Sequence, residues 1–404
     1  MGLYTVSLSW TVLSLTHDAA SVGIFYLSAS ASSLLASPLA GLLLANPRHR
    51  HHRQRIILAA GAVRSFALLI PSMLQNLDLA AADRKTFILA VAVLFGPANS
   101  LYGAVSEGWL LDTTPAPARH RIARRVGLIR QVAFCAGLAL AGFSIMKTSA
   151  ETTSALAAIL GMAGVLACLF PVRPHARSKD EPMSPWSRPA PSFLLRTTAG
   201  MMLIRTMPAL IFPCFVATLA FSVSQMANAS LAPIMVAHMK PAATLGLVAS
   251  SWGAGAIGAA MLANICPTLP TGSRSSYLFF LSVLGVSCVT FSATESTPAQ
   301  MILFAGMGGI FSWLRIGTQA EIALHTPAER IAVVQLALSN LVSVTAVAIY
   351  LLPSLLNRFP PGGIFALWGA VVVVVAAGVW IGLHLGAKRL TAPTHSPAPT
   401  PPDR

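Results

Sequence analysis

Apolar residues run along the chain in twelve stretches, at approximately 1–15, 19–45, 56–76, 86–111, 125–146, 153–172, 206–234, 243–265, 277–293, 299–320, 331–356 and 363–386. Most reach the ~20 residues that a helix needs to cross a hydrocarbon core. The pattern predicts twelve transmembrane helices and an all-α integral membrane fold. Span 1 is the shortest, because His17 and Asp18 cut it to ~23 Å at a rise of ~1.5 Å per residue, against a core of ~30 Å.

The basic residues collect in every second gap. Arg48, Arg50, Arg53 and Arg55 fill the second gap, Arg119, Arg121, Arg124 and Arg125 the fourth, and Arg173, Arg177, Lys179 and Arg188 the long sixth. The odd gaps hold Asp18, then Asp78 and Asp83 with Arg84 and Lys85, then Lys147 with Glu151, Lys240, Glu295 and Arg358. By the positive-inside rule the even gaps and both termini face the cytoplasm, so the expected location is a bacterial inner membrane crossed many times.

Composition narrows the function classes. With 55% apolar and 10% charged residues and a mean hydropathy of +0.70, a water-soluble domain of this length is excluded. The net charge of +15 sits beside apolar spans, where cytoplasmic retention and anionic lipid account for it, and no nucleic-acid partner is expected. The spans use up nearly all 404 residues. No room remains for a soluble catalytic domain, and no cluster of His and acidic residues marks a lipid enzyme, so the chain is not expected to be an enzyme. Cys135, Cys168, Cys214, Cys266 and Cys288 are scattered singly and form neither a disulfide framework nor a CxxC site. The N-terminus has no basic region followed by a cleavage site, so span 1 is read as a helix of the mature protein.

A proline-rich stretch, with Pro174, Pro182, Pro185, Pro189 and Pro191, divides the chain near its midpoint. It predicts an N-terminal six-helix bundle over 1–172, a cytoplasmic linker over 173–205, a C-terminal bundle over 206–388 and a disordered tail over 389–404. Two short stretches recur six spans apart. Ala19-Ala20-Ser21-Val22-Gly23 returns as Ala242-Ala243-Thr244-Leu245-Gly246; Thr114-Pro115-Ala116 with Arg121-Ile122-Ala123 returns as Thr326-Pro327-Ala328 with Arg330-Ile331-Ala332. An even number of helices separates the copies, which gives parallel halves related by an axis along the membrane normal and a cavity between them.

These features resemble the major facilitator superfamily over essentially the whole chain. The stretch from Ser9 to Leu58 resembles the family's helix 1 end, helix 2 and following loop: Gly41, Arg53 and Arg55 match, while Ala45 or Asn46 stands where an Asp is expected. The loops with Pro115 and Arg121, and with Pro327 and Arg330, resemble those of the branch containing siderophore exporters and related efflux proteins. The Gly-Pro pair of many drug/proton antiporters is missing: Gly127, Gly137 and Gly142 have no following proline.

The resemblance implies two six-helix bundles and a cavity lined by helices 1, 4, 7 and 10. Candidate substrate-binding residues on those helices are Asn99, Tyr102, Gln225, Asn228, Trp313 and Arg315, with Tyr4 and Trp10 on span 1. Polar groups inside a bilayer are retained where they face a cavity or a partner. Arg315 is read either as snorkelling to the interface or as a fixed charge for an anion. Gln225 and Asn228 share a helical face and serve equally as a helix–helix hydrogen bond or a substrate contact. Arg64 is read as snorkelling or lipid-facing, and Arg130 as a partner for Glu107. Arg53, Arg55, Glu107, Asp112, Arg121, Glu321 and Arg330 form a candidate cytoplasmic gate of inter-bundle ion pairs, with Glu329 beside it; the alternative is a solvated loop cluster.

His49, His51 and His52 lie among four arginines that would repel a cation, so no metal is expected. The runs Gly253-Ala254-Gly255-Ala256-Ile257-Gly258 and Gly306-Met307-Gly308-Gly309 are expected to allow close helix packing. No cofactor is expected. No carboxylate falls at the centre of a span, which leaves a coupling proton open. The expected function is secondary transport of a small polar or anionic metabolite by alternating access, an exporter of a siderophore-type substrate being the most specific form. Uptake of a metabolite or ferric siderophore, a lysophospholipid flippase, and a membrane sensor or scaffold are the alternatives. The expected partners are a small-molecule substrate and the lipid bilayer, with the protein a monomer.

Overall fold

The computed structural model describes residues 2–16, 19–45, 53–74, 81–113, 119–168, 201–265, 273–326, 331–356 and 358–391. Twelve long helices account for nearly all of them: α1 Gly2–Thr16, α2 Ala19–Ala45, α3 Arg53–Leu74, α4 Ala81–Thr113, α5 Arg119–Lys147, α6 Ala150–Ala167, α7 Pro208–Ala237, α8 Ala242–Ile265, α9 Arg274–Ser292, α10 Thr297–His325, α11 Ile331–Leu355 and α12 Pro361–Thr391. Among the described residues there is no strand. Among the described residues nine helices are long and apolar enough to cross a membrane, and α2 and α5 add the shorter apolar stretches Ala20–Ala36 and Val132–Lys147. Backbone groups have no water to bond in hydrocarbon, so helices that satisfy them internally are the only open way across. This is a multi-pass membrane protein.

Several helices run past the apolar stretches that announced them. Helix α4 begins with Ala81, Asp83 and Arg84, α5 with Arg119, and α12 continues to Thr391, into the range expected to be tail. Helical hydrogen bonding continues after hydropathy ends, because outside the hydrocarbon polar side chains are solvated without disturbing the backbone. Residues 201–206 are also helical, within the range expected to be linker. The proline-rich stretch itself, the arginine-rich loop at 46–52 and the tail from 392 lie outside the described residues.

The packing repeats with a period of six helices. Helix α1 packs on α2, α5 and α6, and α7 packs on α8, α11 and α12; α4 packs on α2 and α3, and α10 on α8 and α9; α3 meets α6, and α9 meets α12. The chain therefore forms two six-helix bundles related by a pseudo-two-fold axis along the membrane normal. They join through α2 on α11, α5 on α8 and α1 on α7. Helix α1 has 15 residues, and its run from Val6 to Leu13 is buried apart from a half-buried Trp10, with Ser7, Ser9 and Thr11 enclosed among the apolar residues.

Glycines set the closest of these contacts. Within the first bundle Gly96 of α4 lies against the Ala29 carbonyl of α2; within the second, Gly308 of α10 lies against the Trp252 carbonyl of α8. The shift that carries Ala19 to Ala242 carries Ala29 to Trp252, and the shift that carries Thr114 to Thr326 carries Gly96 to Gly308. The two contacts are thus equivalent under the sequence repeat. Gly255 against Ala305 adds a second backbone approach between α8 and α10, as the small-residue runs imply. Lipid chains are as apolar as side chains, so helices associate here by van der Waals fit, and a missing Cβ lets backbones meet.

Inside the first bundle, Arg64 of α3 places its guanidinium 4.3 Å from the ring centroid of Tyr102 on α4. The intramembrane charge is held by an aromatic face within the protein, where snorkelling or lipid contact was expected.

Two outcomes follow from this packing. Gly306→Ala meets open space on α10 and should stabilise the helix by up to ~1 kcal/mol, whereas Gly308→Ala meets the α8 backbone and should cost about 1–3 kcal/mol; thermal unfolding in detergent should move the two midpoints in opposite directions. A double-mutant cycle of Arg64→Met and Tyr102→Leu should return a coupling of about 1 kcal/mol, read from denaturant titration.

Candidate functional site

Where the bundles meet, a cavity enclosing about 470 Å³, open solvent at its mouth included, is walled by α1 and α5 from the first bundle and by α7, α8 and α10 from the second. Its polar atoms come from Ser9, Ser224 and Asn228, and its aromatic walls from Phe134, Trp252 and Phe304. Ser224 and Asn228 are four apart on α7, so helical geometry stacks them on one face. Among the described residues no charged side chain lines it. Such a wall can hydrogen-bond an uncharged solute through hydroxyl and amide groups and pack its planar or apolar part against rings.

The aromatic wall continues past the cavity. Trp252 packs on Phe304 at 5.0 Å and on Phe311 at 5.5 Å between ring centroids, and Phe311 meets Phe221 edge to face at 5.3 Å. The Arg315 guanidinium then sits 5.5 Å from the Phe221 centroid. A half-buried positive charge therefore ends a row of rings that leads away from the cavity.

A second set of polar groups ties four helices from both bundles together. Ser9 Oγ and the Tyr26 hydroxyl lie 2.7 Å apart; the Tyr26 and Tyr350 rings stack at 5.2 Å with planes 22° apart; and the Tyr350 hydroxyl donates to Gln225 Oε1. Ser9 belongs both to this row and to the cavity wall.

The structure divides the expected site residues. Asn228 lines the cavity, and Gln225 takes the helix–helix role by accepting from Tyr350. Arg315 turns to α7, and Trp313 turns to α9, its ring 6.3 Å from Phe280. Tyr102 faces α3 beneath Arg64. Asn99, one turn from Tyr102 and three residues from Gly96, sits between the sides of α4 turned to α3 and α2, with its Oδ1 buried and no hydrogen-bond partner. Neither Asn99, Tyr102 nor Trp313 is a cavity-wall residue. The sequence gives the position of these groups along their helices but not their rotation about the helix axis.

Of the expected gate, Arg55 is exposed on α3 and Glu321 half-buried on α10. Beside Glu321, Gln319 and Gln335 exchange amide hydrogen bonds at 3.4 and 3.2 Å, pinning α10 to α11. Arg330 lies outside the described residues, as do the side chains of Arg53, Glu107, Asp112, Arg121 and Tyr4. Among the described residues no cluster of His, Cys, Asp or Glu could hold a metal ion.

Ser9, Ser224, Phe134, Trp252, Phe304, Tyr26 and Tyr350 were not singled out from sequence. The chain has five tyrosines, and a tyrosine hydroxyl deep in an apolar span signals a partner; that signal was available for Tyr26 and Tyr350.

No family model and no curated protein sequence matches the chain. Solved structures do: the crystal structure of the nucleoside transporter NupG, determined as a point mutant, superposes with a TM-score of 0.59 at 14% identity, over 93% of this chain and 98% of that one. The similarity spans nearly the whole length of both chains. This chain has the major-facilitator transporter fold.

Proposed function

We propose that the protein is a secondary transporter that carries a small, uncharged, partly planar solute across a bacterial inner membrane by alternating access, with both termini in the cytoplasm. The observation that carries this reading is the cavity between the bundles, with Ser9, Ser224 and Asn228 set among Phe134, Trp252 and Phe304 and no charge on its wall. A nucleoside, the cargo named for the solved neighbour, is one molecule of that description.

The described contacts between the bundles support a state closed on the face opposite the termini. Gly23 lies against Tyr350 and Pro353, and Gly142 against Gly246, near the helix ends on that distal face. A solute would then be received from the terminal face, the side from which an exporter loads.

Arg315 favours a second reading. A carboxylate-rich solute such as a siderophore needs fixed positive charge, and Arg315, over Phe221, is the cation nearest in the chain of rings that starts at the cavity. This reading requires Arg315 to turn from Phe221 toward the solute.

Purified protein in liposomes should exchange a labelled nucleoside, and Asn228→Leu should raise KM roughly tenfold, the value of one lost polar contact, without moving the unfolding midpoint. Exchange of a labelled polycarboxylate instead, abolished by Arg315→Gln, would select the anionic reading. Exchange of neither class would remove the carrier reading.

A further inference from the structure

The two seams that join the bundles are equivalent by the fold's repeat, yet they are built from different chemistry. In the α5–α8 seam, Gly142 lies against Gly246 and Cys135 against Gly253. Both pairs are seven residues apart on both antiparallel helices, so backbone meets backbone along about 10 Å. The Cys135 thiol donates to the Gly253 carbonyl at 2.7 Å, and neither helix contains a proline.

The α2–α11 seam has a backbone approach at one point, and side chains carry the rest. Gly23 rests on the Tyr350 carbonyl and the Pro353 ring, and one turn further in Tyr26 stacks on Tyr350. Pro353 lies inside α11 and has no N–H to give the Ile349 carbonyl, which leaves the last turn open to bending. In the same turn the Ser354 hydroxyl is buried without a hydrogen-bond partner.

The repeat shows how far the two seams have diverged. The shift that carries Ala19 to Ala242 carries Tyr26 to Ala249, and the shift that carries Arg121 to Arg330 carries Ala141 to Tyr350. Each tyrosine of one seam is an alanine of the other.

We propose that the distal face opens on one side only, the α2–α11 seam parting at the Tyr26–Tyr350 stack as a gate while the α5–α8 seam stays shut as the hinge. The proposal rests on the carrier reading above and adds the route the solute takes. Parting α5 from α8 would wet Cys135, Leu138, Leu245 and Trp252, all buried and apolar, at a cost proportional to their area. It would also break the Cys135 bond to Gly253. Parting α2 from α11 separates one ring stack but leaves the hydroxyl bonds of Tyr26 and Tyr350 intact, because Ser9 and Gln225 lie in the same bundles as their partners, and it supplies Ser354 with a partner. Ser9 belongs to both the cavity wall and the gate's row of hydrogen bonds, so a solute bonded to Ser9 acts on the gate directly.

Spin-label pairs test this in a background with the native cysteines replaced. Ile24→Cys with Leu351→Cys reports on α2–α11, and Phe143→Cys with Leu247→Cys on α5–α8; all four positions are exposed. Tyr26→Leu removes the ring stack across the seam. It should raise the long-distance population of the first pair about fivefold, equivalent to one aromatic pair of roughly 1 kcal/mol, and leave the second pair unchanged. Equal lengthening of both pairs, lengthening of the second alone, or no change in the first would each overturn the proposal. Bridging the second pair with a bismaleimide should preserve solute exchange, and bridging the first should abolish it. If the unbridged protein exchanges no solute, the carrier reading fails, while the distance distributions still decide between gate and hinge.

Discussion

The architecture depends on helix backbones coming close enough to touch in a medium that gives no hydrophobic reward for doing so. Gly96 on Ala29, Gly308 on Trp252, Gly255 on Ala305 and Gly142 on Gly246 are among the places where this happens, and each brings one helix's bare peptide edge against another's. The first three hold a bundle together and the last joins the two bundles. Fit of this kind is short-ranged and lost over a fraction of an ångström, so these glycines act as fixed points about which longer side chains arrange themselves.

The cavity follows from that arrangement. With α8 drawn onto α10 and α5 onto α8, Trp252, Phe304 and Phe134 are left facing an opening that α1 and α7 furnish with hydroxyl and amide groups. Intramembrane charge is kept off its wall: Arg64 lies over Tyr102 in the first bundle, and Arg315 over Phe221. Both guanidinium groups are stabilised by aromatic faces, a device that lowers the cost of a cation in hydrocarbon without requiring an acid beside it. The scarcity of carboxylates within the spans is understandable on these terms.

The number of helices, their order and the repeat between halves were legible because each has a one-dimensional signature. Hydropathy marks spans, and the short motif ending in Gly23 and Gly246 recurs because both glycines occupy the seam between bundles. Rotation about each helix axis has no such signature here, since helices apolar on every side carry no stripe to orient them. That is why Asn228 lies on the cavity wall while Tyr102 and Trp313, on helices expected to line it, turn to α3 and α9. Ser9 and Ser224 escaped notice for a related reason: a serine that bonds its own helix or a neighbour is common in such spans, and nothing in the sequence separates those from the two that face the cavity.

Helix α1 carries a consequence for how the protein is made. Short, threaded with Ser7, Ser9 and Thr11, and enclosed by α2, α5, α6 and α7, it owes its place to neighbours synthesised after it. Tyr26 of α2 meets Ser9 early, whereas the walls supplied by α5, α6 and α7 come only later, and the nascent chain must tolerate a provisional lodging for α1 until they are in place.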